Sequence, residues 1–177
     1  RKPGEFAPNL YMAQALLDLG DAAGAERRFA VAAGLDPKSA DAQLGLARSR
    51  AAQGRLEEAV EGFQRAVELD PALTPVLLEL ASLYESKGKR AEAIALYAKF
   101  PEDVAARERM GELLIEEGRA AEAAPHLEWV VARSPTPASR LALATAYVRA
   151  GQKEKAVSLF EEVIAAGDRA LVFTQFA

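Results

Sequence analysis

The chain has 177 residues, with 22 Lys and Arg against 26 Asp and Glu, a net charge of −4 with its single His neutral. An acidic chain with no cluster of Lys and Arg lacks the electrostatic footprint of nucleic-acid or anionic-membrane binding. Its zero Cys excludes disulfides and thiolate metal sites, and no apolar run approaches the roughly 20 residues that span a bilayer.

Half of the chain is hydrophobic and only 7% aromatic. Much of the apolar fraction is Ala, the strongest helix former, and β-branched residues are sparse, so the chain is predicted to be all-α. The first residue is Arg and no leader follows it, which suggests that the segment begins inside a longer protein or after a removed leader.

Along the chain, Gly20 ends a first apolar-periodic stretch, and a second stretch runs to Asp36-Pro37. Gly54 and Asp70-Pro71 divide the next stretch in the same way, and Gly88, Gly118 with Ser134-Pro135, and Gly151 continue the series. The glycines are spaced by 34, 34, 30 and 33 residues. Glycine enters the left-handed backbone region that stops one helix and turns the chain into the next. Proline prevents the second helix from continuing. The two residue types therefore mark alternate turns of a helix-hairpin array, with repeats over 6–39, 40–73, 74–103, 104–136 and 137–169.

Within each repeat the same places carry the same kind of side chain. Position 8 is Ala13, Ala47, Ala81, Gly111 and Ala144, and position 20 is Ala25, Ala59, Ala93, Ala123 and Ala156. Large residues stand at position 7 (Met12, Leu46, Leu80, Met110, Leu143) and at position 24 (Phe29, Phe63, Tyr97, Leu127, Phe160). Small residues let two helices cross closely, and large ones fill the space beside the crossing. A single hairpin cannot bury its apolar face, so neighbours must stack.

This pattern resembles the tetratricopeptide repeat, and "GRLEEAVEGFQRAVELDP" from Gly54 to Pro71 is similar to the second-helix pattern of that family. The resemblance runs from about Phe6 to Asp168. It implies a right-handed α-solenoid of five helix pairs plus a partial sixth. The sequence departs from the family at position 4, where Asn9, Gln43, Leu77, Arg107 and Arg140 stand in place of an aromatic residue.

Two irregularities interrupt the array. The third repeat is 30 residues long, and its second helix is expected to stop early, at Phe100-Pro101. The tail, "RALVFTQFA", is strand-like by itself and resembles a strand motif of some helicase-like ATPases, but no phosphate-binding Gly-x-x-x-x-Gly-Lys loop accompanies it. In repeat register Phe173, Phe176 and Ala177 fall at positions 4, 7 and 8, so residues 170–177 are expected to begin a severed sixth repeat.

The residues offer little chemistry. His126 lies beside Pro125 and near Trp129 with no evident catalytic or metal partner, and it is expected to be a partly exposed helix residue. Glu57 and Glu58 complement a helix N-terminus, and adjacent carboxylates do not face each other on a helix. An interaction protein without catalytic residues, cofactor or metal is expected.

The resemblance implies that first helices line a concave channel in which partners lie. Position 5 is Leu10, Leu44, Leu78, Glu108 and Leu141, and position 9 is Gln14, Arg48, Ser82, Glu112 and Thr145. The Lys, Asn and Arg set with which one subfamily clamps chaperone C-terminal carboxylates is absent, so chaperone-tail binding is not expected. The leucine row forms an apolar floor or else packs against the next helix. Glu108, Glu112 and Glu116 are spaced by four and share one helix face, where like charges cost roughly 0.2–0.5 kcal/mol per pair. Arg149 of the next repeat, or a basic group on a partner, would offset this. The expected partner is therefore a protein or peptide with apolar anchors followed by Lys or Arg. The alternative is a structural spacer or self-association arm of a larger protein, associating through the C-terminal end.

Overall fold

The computed structural model describes residues 3–165, with side chains from residue 5 onward. Ten α-helices account for most of them: α1 (Pro3–Asp18), α2 (Ala22–Leu35), α3 (Ala40–Ala52), α4 (Leu56–Leu69), α5 (Val76–Ser86), α6 (Arg90–Tyr97), α7 (Val104–Glu116), α8 (Ala120–Arg133), α9 (Pro137–Arg149) and α10 (Lys153–Ala165). A single 3-10 turn, Pro71–Leu73, follows α4, and the described residues contain no strand. The fold is an all-α solenoid of helix–turn–helix repeats, with odd-numbered helices first and even-numbered helices second. The tail assigned to a sixth repeat lies outside the described residues.

The turn inside each repeat is set by its glycine. Gly20, Gly54, Gly88, Gly118 and Gly151 all have φ between 70° and 84°, in the left-handed region, where other residues are strained. At the helix starts, short polar side chains take up orphan backbone N–H groups. Asp21 accepts from Gly24 N at 2.8 Å, Asp103 from Ala106 N at 2.8 Å, and Ser39 from Ala42 N at 3.2 Å. Thr136 and Ser139 close a reciprocal capping box on α9. Glu57 and Glu58 fall in the first turn of α4, where their charge suits the helix dipole.

The residues form two compact units, one ending at Leu83 and one beginning at Tyr84, so the division falls within α5. In the first unit, the position-8 and position-20 alanines Ala13, Ala25, Ala47 and Ala59 are fully buried. Their size lets α1 cross α2 and α3 cross α4 closely. A Cβ added to Gly62 would stand 2.8 Å from the Ala47 Cβ, so that crossing already fills the space. Phe29 and Phe63, the aromatics at position 24, are buried beside these crossings, each contributing roughly 1.5–3 kcal/mol of apolar transfer. Position 7 is not uniform: Leu46 is buried, whereas Met12 is 47% exposed. With no earlier described repeat over it, α1 leaves that side chain in solvent.

The second unit repeats the scheme. Ala123, Ala144 and Ala156 are buried, as are Met110, Leu127 and Leu143. Gly111 replaces alanine at position 8 because a Cβ there would meet Leu127 at 2.7 Å. The Tyr147 hydroxyl of α9 donates to Glu128 of α8 at 2.6 Å. Burial, with that hydrogen bond and the Glu128 charge, pushes the phenol up to about 12. The short repeat appears as α6, with 8 residues where α2, α4 and α8 have 14. Its chain leaves the helix after Tyr97 and turns through Phe100-Pro101 into α7.

Candidate functional site

The candidate residues divide between the two units. In the first unit, Leu44 is buried and Leu10 is half-buried against a core of Ala13, Ala25, Phe29 and Leu46. Leu78 is half-buried. The Gln14 amide donates to Asp18 at 2.7 Å. The Arg48 guanidinium is held in a two-point contact with Glu79, at 2.8 and 3.1 Å. The exposed Ser82 hydroxyl donates to the Leu78 carbonyl at 3.2 Å. The leucines pack inward more than outward, so the surface at these positions is largely polar, and its one cation is already paired.

In the second unit, α7 and α9 stand side by side and enclose a cleft of about 420 Å³. Glu112 and Glu116 line it from α7, and Leu141, Thr145 and Arg149 from α9. Leu141 shows only an edge there, being 6% exposed. The Thr145 hydroxyl donates to the Leu141 carbonyl at 2.8 Å. Five of the twelve residues singled out from the sequence thus face one cavity, and Glu108 lies one turn before Glu112 on the same helix.

The charges in this cleft are neutralised differently from the sequence expectation. Arg149 does not pair with the glutamates; its guanidinium donates to the Ile115 carbonyl at 3.2 Å, at the end of α7. Arg109 instead reaches Glu112 at 2.7 Å and Glu85 at 2.6 Å. Arg90 reaches Glu116 at 2.9 Å and Glu117 at 3.7 Å. Hydrogen bonding to Glu85 outweighs burial and, with Glu112, holds the Arg109 guanidinium more firmly protonated than usual. The Arg109–Glu112 link spans three residues on one helix and could be anticipated from sequence. Glu85 and Arg90 come from a different repeat and carry no local signal.

Glu108 is the exception. It is half-buried on α7, and no described cation forms an ion pair with it. Burial raises its carboxyl above the usual carboxylate range, and the Glu112 charge raises it further. Two of the three glutamates on this face are therefore neutralised internally and one is not.

On another side of the same unit, His126 is half-buried beside Arg107 and Glu122. Burial and the Arg107 charge lower its imidazole below the ordinary value, more than Glu122 raises it. No nucleophile–base pair forms there. Among the described residues, no cluster of three or more His, Cys, Asp and Glu could hold a metal ion. No described helix is long and apolar enough to cross a membrane.

Against this geometry, comparison with known proteins gives a consistent result. A family model of the tetratricopeptide repeat matches residues 10–73 and 108–170, and a second model of that description matches residues 50–114. No curated protein matches the chain by sequence. Solved structures with the same fold include the MamA protein, with 19% identity, 91% of each chain covered and a TM-score of 0.73. YrrB, described as a TPR protein with an unusual peptide-binding site, is 20% identical, with 98% of this chain and 93% of that one covered and a TM-score of 0.74. A tetratricopeptide repeat protein from Parabacteroides merdae is 21% identical over 94% of this chain and 68% of its own, with a TM-score of 0.73. At these identities the likeness concerns the fold alone.

Proposed function

The chain belongs to the tetratricopeptide repeat family, whose repeats generally serve as protein-interaction scaffolds rather than enzymes, and we propose that its α7–α9 cleft seats a segment of a partner protein bearing a basic residue. The observation that carries this reading is Glu108. It is a half-buried carboxylate without an ion-pair partner among the described residues, one turn from a cleft whose two lining carboxylates, Glu112 and Glu116, are already neutralised. A Lys or Arg at Glu108 would relieve the repulsion from Glu112 and replace lost hydration with a charge-assisted hydrogen bond. Apolar side chains of the same segment would rest on Ile115, Leu141 and Ala142 along the cleft. The peptide-binding site of YrrB, on the same fold, is a further support for a peptide occupant.

The pairing has a definite pH signature. Cation binding favours ionised Glu108, so binding is coupled to release of its proton. Affinity should rise with pH through the elevated Glu108 pKa and level off above it.

Selection of short peptides from a random library tests the reading. Enriched peptides are expected to combine apolar residues with Lys or Arg. Their affinity should fall at least about tenfold in Glu108→Lys, as loss of a charged hydrogen bond entails, and should weaken with added salt. Peptides of unbiased charge, or affinities unchanged in Glu108→Lys, would remove the proposal.

A further inference from the structure

Another cavity of the Tyr84-onward unit is distinct from the cleft. It measures about 250 Å³ and opens where α6 ends. This is below the roughly 300–1,000 Å³ of small-molecule sites and suits one inserted side chain. Its wall is apolar, formed by Ile94 and Tyr97 of α6 and by Met110 and Leu114 of α7, with Ala98 and Pro101 at the exposed edge. The cavity follows from the short third repeat. α6 is more than a turn shorter than α2, α4 or α8, so no helix continues past Tyr97 over this ground.

The remaining lining is polar: Arg107, Arg119, His126 and Glu122. Glu122, the single carboxylate among them, is engaged at two points by Arg119, both at 2.8 Å. Arg107 makes no ion pair with a described carboxylate. It stands in position 4, where the family carries an aromatic residue, and its guanidinium lies over the Trp129 ring, 4.2 Å from the centroid. Arg133 lies over the same ring at 3.7 Å. Both guanidinium groups lie over the indole, and no described carboxylate pairs with either. The apolar hole is thus lined by the Arg107 guanidinium, whose positive charge no described carboxylate neutralises, and Arg133 shares the Trp129 ring with it.

We propose that this cavity docks a partner polypeptide through one apolar side chain followed by an acidic residue, the side chain entering between α6 and α7 and the carboxylate pairing with Arg107. The occupant follows from charge complementarity. A basic segment would be repelled by Arg107, whose charge is not neutralised, and a wholly apolar one would leave Arg107 without a carboxylate beside it. An Arg fork takes a carboxylate in two parallel hydrogen bonds, which fixes the position of the acid relative to the buried side chain. This site selects acid where the α7–α9 cleft selects base, so each can fail without the other.

The chain has two methionines, Met12 and Met110, so methyl NMR of the full chain reads the site directly. The probe is the blocked peptide acetyl-Gly-Ser-Leu-Asp-Ser-Gly-amide, against versions with Lys in place of Asp and with Ser in place of Leu. The Met110 methyl should shift saturably with the Leu-Asp peptide while Met12, in the other unit, stays in place. Neither control peptide should reproduce the shift. Arg107→Gln should weaken binding about tenfold, the loss expected for a charge-assisted hydrogen bond. Ala98→Glu, at the exposed edge of the cavity, provides a second variant should Arg107→Gln disturb Trp129, and its carboxylate should abolish binding. An unmoved Met110 methyl, equal shifts at both methionines, or equal binding of the Lys peptide would overturn the proposal.

Discussion

Gly45 lacks a side chain because the Phe29 ring fills the space where a Cβ would stand. Gly45→Ala should therefore destabilise the chain by about 1–3 kcal/mol, the usual cost of overpacking. A fall in the urea midpoint at unchanged m-value would register it, and an unaltered midpoint would contradict the packing described. Two carboxyls make opposite predictions for pH. Burial would raise Glu26, but hydrogen bonds from Gln53, Arg50 and Arg55 outweigh it and hold the carboxyl low. Its contribution is present above the unfolded-state pKa and lost as pH falls through the depressed folded value. Glu108 is raised, so its contribution is complete below the unfolded-state pKa and lost as pH rises through the elevated one. In denaturation across pH 3 to 8, a range bracketing the ordinary Glu pKa of about 4.3, Glu26→Gln should be less stable than the parent at neutral pH. Glu108→Gln should be more stable there, and both differences should shrink in acid. At this scale the small residues of the crossings were legible, because their spacing repeats. The neutralisation of Glu112 and Glu116 was only partly legible, because Glu85 and Arg90 are brought in by packing between repeats.

Among the elements, α8 carries a proline in its interior. Pro125 is exposed at the sixth residue of the helix and has no N–H to give the carbonyl of Ala121. Pro125→Ala should raise stability, by up to about 3 kcal/mol, and a lowered thermal midpoint would show instead that the proline sets a bend the packing requires. The helix boundaries were readable because glycine and proline act locally: all five turn glycines adopt positive φ. The early end of α6 was readable too, from the missing residues before Phe100-Pro101. The cavity it leaves was not, because it depends on the side chains of α7 and α8 that face the gap. The leucines of position 5 show a similar limit. Periodicity places Leu44 and Leu141 on the apolar arc of their helices, but only the packed neighbours show that both are buried.

For the molecule as a whole, the order of helices and the family follow from a period that recurs in nearly every repeat. Function is less legible, because a scaffold works through the surface left over after packing, and that surface carries no motif. A partner segment held in the α7–α9 cleft, as proposed, must lie within reach of a probe placed there. The native chain has no Cys, so a single introduced thiol can carry a photo-crosslinker. Ala142 lines the cleft, whereas Ala132 is exposed on α8. A library-selected basic peptide should crosslink to the labelled Ala142→Cys variant and not to the labelled Ala132→Cys variant, and added Glu108→Lys should remove the crosslink. Equal crosslinking at both positions, or none at 142, would contradict the account.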